Sequence, residues 1–161
     1  MKSSVQLFLM AVAFDFYWTL VVLFRERGLF LWLGLAILTF IMLSPAQRLY
    51  ALLLAVAGCG LDAFFALTGL IDFTGDGVLP VWMVALWLMF ATVWTALTCR
   101  STLPGWILAM LATCGTPVAY VIGERLGAIS FQEPTLIIVS WIALGWLVLM
   151  LLFHVLMARR Q

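Results

Sequence analysis

Residues Thr135–Met157, TLIIVSWIALGWLVLMLLFHVLM, contain no Asp, Glu, Lys or Arg. A helix needs about 20 apolar residues to cross the hydrocarbon core, so this stretch reads as a membrane span. It opens after Pro134 and closes at Ala158-Arg159-Arg160, where charge returns the chain to water. The rest of the chain repeats the pattern. Of 161 residues, 66% are hydrophobic and 9% charged, whereas soluble domains carry about 25% charged residues.

Working back from that span, the first apolar run covers 5–24 and stops at Arg25-Glu26-Arg27-Gly28. A second, short run covers 29–43 and stops at Ser44-Pro45, since proline lacks the donor a helix interior needs. The third covers 49–71 and gives way to Asp72-Phe73-Thr74-Gly75-Asp76-Gly77, a cluster of turn formers that reads as a loop. The fourth covers 81–99 behind Pro80 and is closed by Arg100, and Pro104-Gly105 leads into the fifth, 106–123. The expected fold is an all-α integral membrane bundle of about six transmembrane helices with short loops. It forms one transmembrane domain over residues 1–161. No internal repeat of halves is evident. The first run reads as a retained helix rather than a signal peptide, because Asp15 and bulky Phe14, Phe16, Tyr17 and Trp18 interrupt its apolar core.

Basic residues favour the cytoplasmic side of short loops. Six spans with the N-terminus inside place Lys2, Arg48, Arg100, Arg159 and Arg160 in the cytoplasm, and Arg25, Arg27 and Arg125 outside. The expected location is the bacterial inner membrane, with both termini cytoplasmic.

Two carboxylates interrupt this apolar background, Asp15 in Phe14-Asp15-Phe16-Tyr17 and Asp62 in Gly60-Leu61-Asp62-Ala63. A charge at the bilayer centre costs roughly 3 kcal/mol on insertion scales, so intramembrane acids face a partner or a wet cavity. At 1.5 Å per residue, Asp15 lies about 15 Å into the first helix and Asp62 about 20 Å into the third. Both helices start at the same face, so the two form one candidate buried polar site, with Tyr17 and Tyr120 as hydroxyl partners. It is either a proton-linked or cation-binding site, or a pair of acids that fix helix packing by hydrogen bonds.

Around that site, Gly58 and Gly60 lie among small residues that let helices approach closely and also leave volume for a ligand. Trp87 and Trp94, seven apart with Phe90 and Ala91 on the same face, read as packing or as the wall of a hydrophobic pocket. Trp82 and Trp106 lie near helix ends and read as interfacial anchors. Pro117 should kink the fifth helix and free the Thr113 carbonyl, adding to the cavity wall. Gly123-x-x-x-Gly127 is a close-packing spacing. Glu124 and Arg125 are candidates for contact with a lipid headgroup, and otherwise form an ordinary charged helix end.

The only histidine, His154, falls near the cytoplasmic interface and has no clustered ligands. Cys59, Cys99 and Cys114 lack metal spacing. No metal and no cofactor are expected, and the catalytic residue, if one exists, is not legible. There is no Walker loop, Rossmann glycine pattern or His-Glu-x-x-His. Scattered basic residues give no footprint for nucleic acid.

At Pro80-Val81-Trp82, Leu86-Trp87-Leu88-Met89-Phe90-Ala91, Gly115-Thr116-Pro117-Val118-Ala119-Tyr120, Gly123 and Leu126-Gly127-Ala128, the chain resembles a known family. That family consists of small multi-pass bacterial inner-membrane proteins, named domain of unknown function 2878. The likeness extends over nearly the whole chain, includes Asp62, and is most specific from Pro80 to Phe131. The family usually has a small residue where this chain has Glu124. The resemblance implies lipid business rather than ion conduction, since members tend to be encoded near fatty-acid-modifying enzymes and oxidative-stress genes.

Two functions from different classes follow. One is binding or transport of a lipid or other hydrophobic small molecule through an intramembrane cavity. The other is a membrane-embedded enzyme in fatty-acid or lipid modification, with Asp62, Tyr120 or Glu124 as acid or base, or a scaffold for such an enzyme. One histidine is too few for the metal clusters of acyl-chain oxygen chemistry, which weighs against the enzyme. The partners expected are membrane lipids, a hydrophobic ligand, a lipid-modifying enzyme, or a second copy in a homo-oligomer.

Overall fold

The computed structural model describes residues 2–158. It is 81% helical, as expected where lipid offers the backbone no hydrogen bonds. The elements run α1 (Lys2–Phe24), α2 (Leu29–Ile41), α3 (Pro45–Leu67), β1 (Ile71–Phe73), α4 (Val81–Arg100), α5 (Gly105–Arg125), β2 (Ile129–Phe131) and α6 (Thr135–Ala158). Five stretches are long and apolar enough to cross a membrane: Val5–Ile41, which holds α1 and α2 together, and the helices α3, α4, α5 and α6. The all-α membrane fold is as the sequence indicates. By itself α2, at 13 residues, reaches only about 20 Å of a ~30 Å core. The Lys2 side chain, Arg159 and Arg160 lie outside the described residues.

The chain packs as two compact units, residues 1–59 with 80–102, and residues 60–79 with 103–161. α3 contributes to both. In the first unit, Phe14 of α1 meets Phe90 of α4, with ring centroids 5.7 Å apart, and Arg100 reaches Met10 Sδ at 3.5 Å. Those contacts set α1 antiparallel to α4. The Tyr17 hydroxyl donates to the Trp32 carbonyl at 3.0 Å and lies 3.4 Å from that of Ala85, tying α1, α2 and α4 together. Further along α2, Thr39 Oγ1 lies 3.3 Å from Met89 Sδ, so α2 runs in the direction of α4. The reversal between α1 and α2 is made by Arg25 at φ 46 and a 3-10 turn, Arg25–Gly28.

α3 begins at Pro45, not near residue 49, and the reason is local. Ser44 and Gln47 form a capping box: the Ser44 amide donates to Gln47 Oε1 at 3.1 Å, and the Gln47 amide donates to Ser44 Oγ at 3.4 Å. Pro45 takes the first helical position, where its missing donor costs nothing. Arg48 then turns back and donates to the Leu43 carbonyl at 3.0 Å and to the Ile41 carbonyl, closing the end of α2.

In the second unit, α5 and α6 pack antiparallel, with Gly105 at the start of α5 against the His154 ring late in α6. Gly145 of α6 faces Leu61 and Phe65 of α3 so closely that an added Cβ would lie 2.9 Å from Phe65 Cζ. α3 and α5 end in the same way. Leu70 N donates to Phe65 O at 3.0 Å and Gly69 N to Ala66 O at 3.0 Å. Ala128 N donates to Gly123 O at 2.9 Å and Gly127 N to Glu124 O at 3.0 Å. Each is a Schellman cap with glycine in the left-handed region, Gly69 at φ 72 and Gly127 at φ 69.

After each cap comes a strand with isoleucine two and phenylalanine four residues past the glycine, Ile71 and Phe73, then Ile129 and Phe131. The strands pair antiparallel as Ile71↔Phe131, Asp72↔Ser130 and Phe73↔Ile129. Bonds from Thr74 N to Ala128 O and from Gln132 N to Leu70 O extend the ladder at both ends. The segment from Asp72 is therefore not wholly loop, and a short repeat that the sequence does not announce brings the ends of α3 and α5 together. Gly123-x-x-x-Gly127 likewise serves a helix end and not a helix crossing. Gly127 is the left-handed cap residue, and the Gly123 Cβ position faces Ile129 Cδ1 at 3.2 Å.

Candidate functional site

Asp62 is completely buried, and Tyr120, at 5% exposed, donates its hydroxyl to Asp62 Oδ1. The partners come from the last two turns of α3 and α5. The buried face of α5 carries Ala109, Thr113, Thr116, Tyr120 and Gly123, so three hydroxyls follow one another along one helical stripe. Thr113 Oγ1 donates to Ala109 O at 2.9 Å and Thr116 Oγ1 to Ala112 O at 2.8 Å. Each hydroxyl has spent its proton on the backbone and keeps oxygen lone pairs as acceptors. Pro117 lies inside the helix on this side and supplies no amide proton to the Thr113 carbonyl. The stripe is rich in acceptors within an apolar span, and it suits a ligand group that donates hydrogen bonds, such as a hydroxyl or an amine.

Thr113 and Thr116 are not among the residues the sequence singles out as site candidates. The readable signal is the 113, 116, 120 spacing of hydroxyl residues on one helix, which identifies a face but not what lies opposite it. On α4, Thr92 and Thr95 are also buried, and their Oγ1 atoms have no hydrogen-bond partner among the described residues.

The other half of the expected aspartate pair is placed differently. Asp15 is exposed, in the first unit, and only its main-chain oxygen is engaged, accepting from Thr19 Oγ1 at 2.8 Å. It is not a buried residue. Helix depth gave both acids one level but left the facing of each helix open, and the α1 face packed on α4 carries Phe14 and Tyr17 instead. Tyr17 is spent on the Trp32 and Ala85 carbonyls. It is a staple of the first unit.

The aromatic residues of α4 form a ladder, with Trp87 edge-on to Phe90 at 5.6 Å and Phe90 stacked on Trp94 at 5.5 Å. Trp87 occupies the space a Gly58 side chain would take, so the two residues pack closely against each other. The Gly60 Cβ position is open, with nothing within 4 Å. Two residues along a helix amount to about 200°, so Gly60 faces away from Asp62. Trp82, 1% exposed, is core and not an interfacial anchor, whereas Trp106 is 59% exposed at the start of α5. Glu124 is half-buried and Arg125 exposed, both in the last turn of α5 beside the sheet.

No curated protein and no solved structure matches the chain. The family model described as "Protein of unknown function (DUF2878)" matches residues 7–152, which include Asp62, Tyr120 and all or most of each helix, and the chain belongs to that family.

Proposed function

We propose that this is a multi-pass inner-membrane protein that binds, and through binding transports, a lipid or other hydrophobic small molecule, with Asp62 and Tyr120 as its polar anchor. The observation that carries the reading is the fully buried Asp62 carboxyl held by Tyr120 within apolar helices. A buried intramembrane acid costs roughly 3 kcal/mol, and packing alone does not require one. The Thr113 and Thr116 oxygens continue the acceptor surface from Tyr120, which favours an amphipathic ligand with a donor headgroup over a bare hydrocarbon.

The charge distribution supports cytoplasmic termini. With six spans, five of the eight basic residues, Lys2, Arg48, Arg100, Arg159 and Arg160, fall on the side of the termini, and three, Arg25, Arg27 and Arg125, on the other. A reporter fused to the C-terminus that is active only outside the cytoplasm would refute that orientation.

The test of binding is purification in mild detergent, followed by mass spectrometry of the bound small molecules. Wild type should carry a defined amphipathic species that Asp62→Asn and Tyr120→Phe lose while remaining monodisperse. The same bulk lipid profile in all three proteins would overturn the reading.

A further inference from the structure

Asp15 raises a separate question, because its carboxyl is exposed on a membrane-spanning helix. It lies about 14 Å along the axis from Phe24 and about 20 Å from Lys2, well inside a ~30 Å hydrocarbon core. No ion pair or side-chain hydrogen bond engages the carboxyl among the described residues, and the only nearby bond uses its main-chain oxygen. On the opposite side of α1, Met10, Phe14 and Tyr17 meet α4. The free side carries Phe8, Val12, Asp15, Thr19 and Leu23, with Phe8 68%, Val12 46% and Leu23 44% exposed. Steps of four, three, four and four residues make one stripe along a helix, the spacing by which one helix packs against another. An acid within such a seam restricts which helix can pair with it.

From this seam we infer that α1 is a docking surface for a transmembrane helix of a different protein, one that carries a lysine or arginine near the middle of its span. Charge complementarity selects that occupant. Lipid offers a carboxylate no partner, and a bilayer acid is most cheaply satisfied by a base at the same depth. Among the described residues, a second copy of this chain has no base to offer there. Its described basic residues are Arg25 and Arg27 in the α1–α2 turn, Arg48 in the first turn of α3, Arg100 and Arg125 at helix ends, and His154 in the last turns of α6. Arg48 is already spent on the Ile41 and Leu43 carbonyls, and the His154 ring lies against Gly105. The partner therefore brings its own cation.

The test uses full-length protein, donor-labelled, in liposomes with acceptor-labelled single-span polyleucine peptides that differ only at the central residue. Energy transfer should show the lysine peptide binding about tenfold more tightly than the leucine peptide, the ratio that one interhelical polar contact is worth. Asp15→Leu and Asp15→Asn should each abolish that preference. Neither substitution disturbs a packed contact, so both variants should keep the wild-type melting temperature. Equal binding of the lysine and leucine peptides would overturn the proposal, as would a lysine preference that survives Asp15→Leu. Self-association of wild type that Asp15→Leu removes, without a lysine preference, would assign the seam to a second copy and would also overturn it.

Discussion

Replacing Tyr120 by phenylalanine removes one hydroxyl and little volume, so its effect isolates the hydrogen bond to Asp62. The acceptor is 0% exposed and the donor 5%, so water can neither screen the bond nor replace it. Hydrogen bonds to charged groups contribute about 1.5–3 kcal/mol in soluble proteins, but interhelical polar bonds within membranes average about 0.6 and reach about 1.7 kcal/mol. The burial of Asp62 places this pair toward the upper end, at about 1–2 kcal/mol. For a chain of this size, that loss lowers the melting temperature by about 3–6 °C. The assay is a double-mutant cycle of Tyr120→Phe with Asp62→Ala, read by thermal unfolding in detergent. A coupling energy of about 1 kcal/mol or more is expected. If the two effects add to within about 0.3 kcal/mol, the residues do not interact, and the polar anchor of the proposed ligand site is lost with them.

Gly127→Ala and Gly69→Ala should each cost about 1 kcal/mol, since both force a side chain into the left-handed region; thermal melts that match wild type would refute the twin Schellman caps. Gly58→Leu should destabilise by about 1–3 kcal/mol, because the Trp87 ring already fills that space. Pairing it with Trp87→Ala should recover part of the loss in the same melts, and strict additivity would show that the two residues do not touch.

The positions of the helices are legible in the chain because the signals are local. Apolar length, Pro104-Gly105 and Arg100 each act on the residues beside them. The start of α3 is local too, but the Ser44 and Gln47 capping box has to be recognised before Pro45 reads as a beginning and not only as a stop. Asp62 and Tyr120 also stand out individually, one as a costly acid and the other beside Pro117. Their meeting is not written in either segment, since it depends on which faces of α3 and α5 turn inward.

Asp15 makes the same point from the other side. Its depth in α1 follows from counting residues, yet its exposure follows from Phe14 and Tyr17 having taken the face toward α4. Gly127 reads by spacing as a helix-packing residue and by φ as a cap. The pairing of Asp72 with Ser130 joins segments far apart in the chain, and three residues of strand carry too little periodicity to be read alone. The sequence by itself thus determined the solvent, the helices and the residues whose presence in lipid is costly. Only the tertiary structure decided which acid is buried, which is offered outward, and which hydroxyl stands beside the buried one, because helix rotation and partner choice are set by contacts between distant segments.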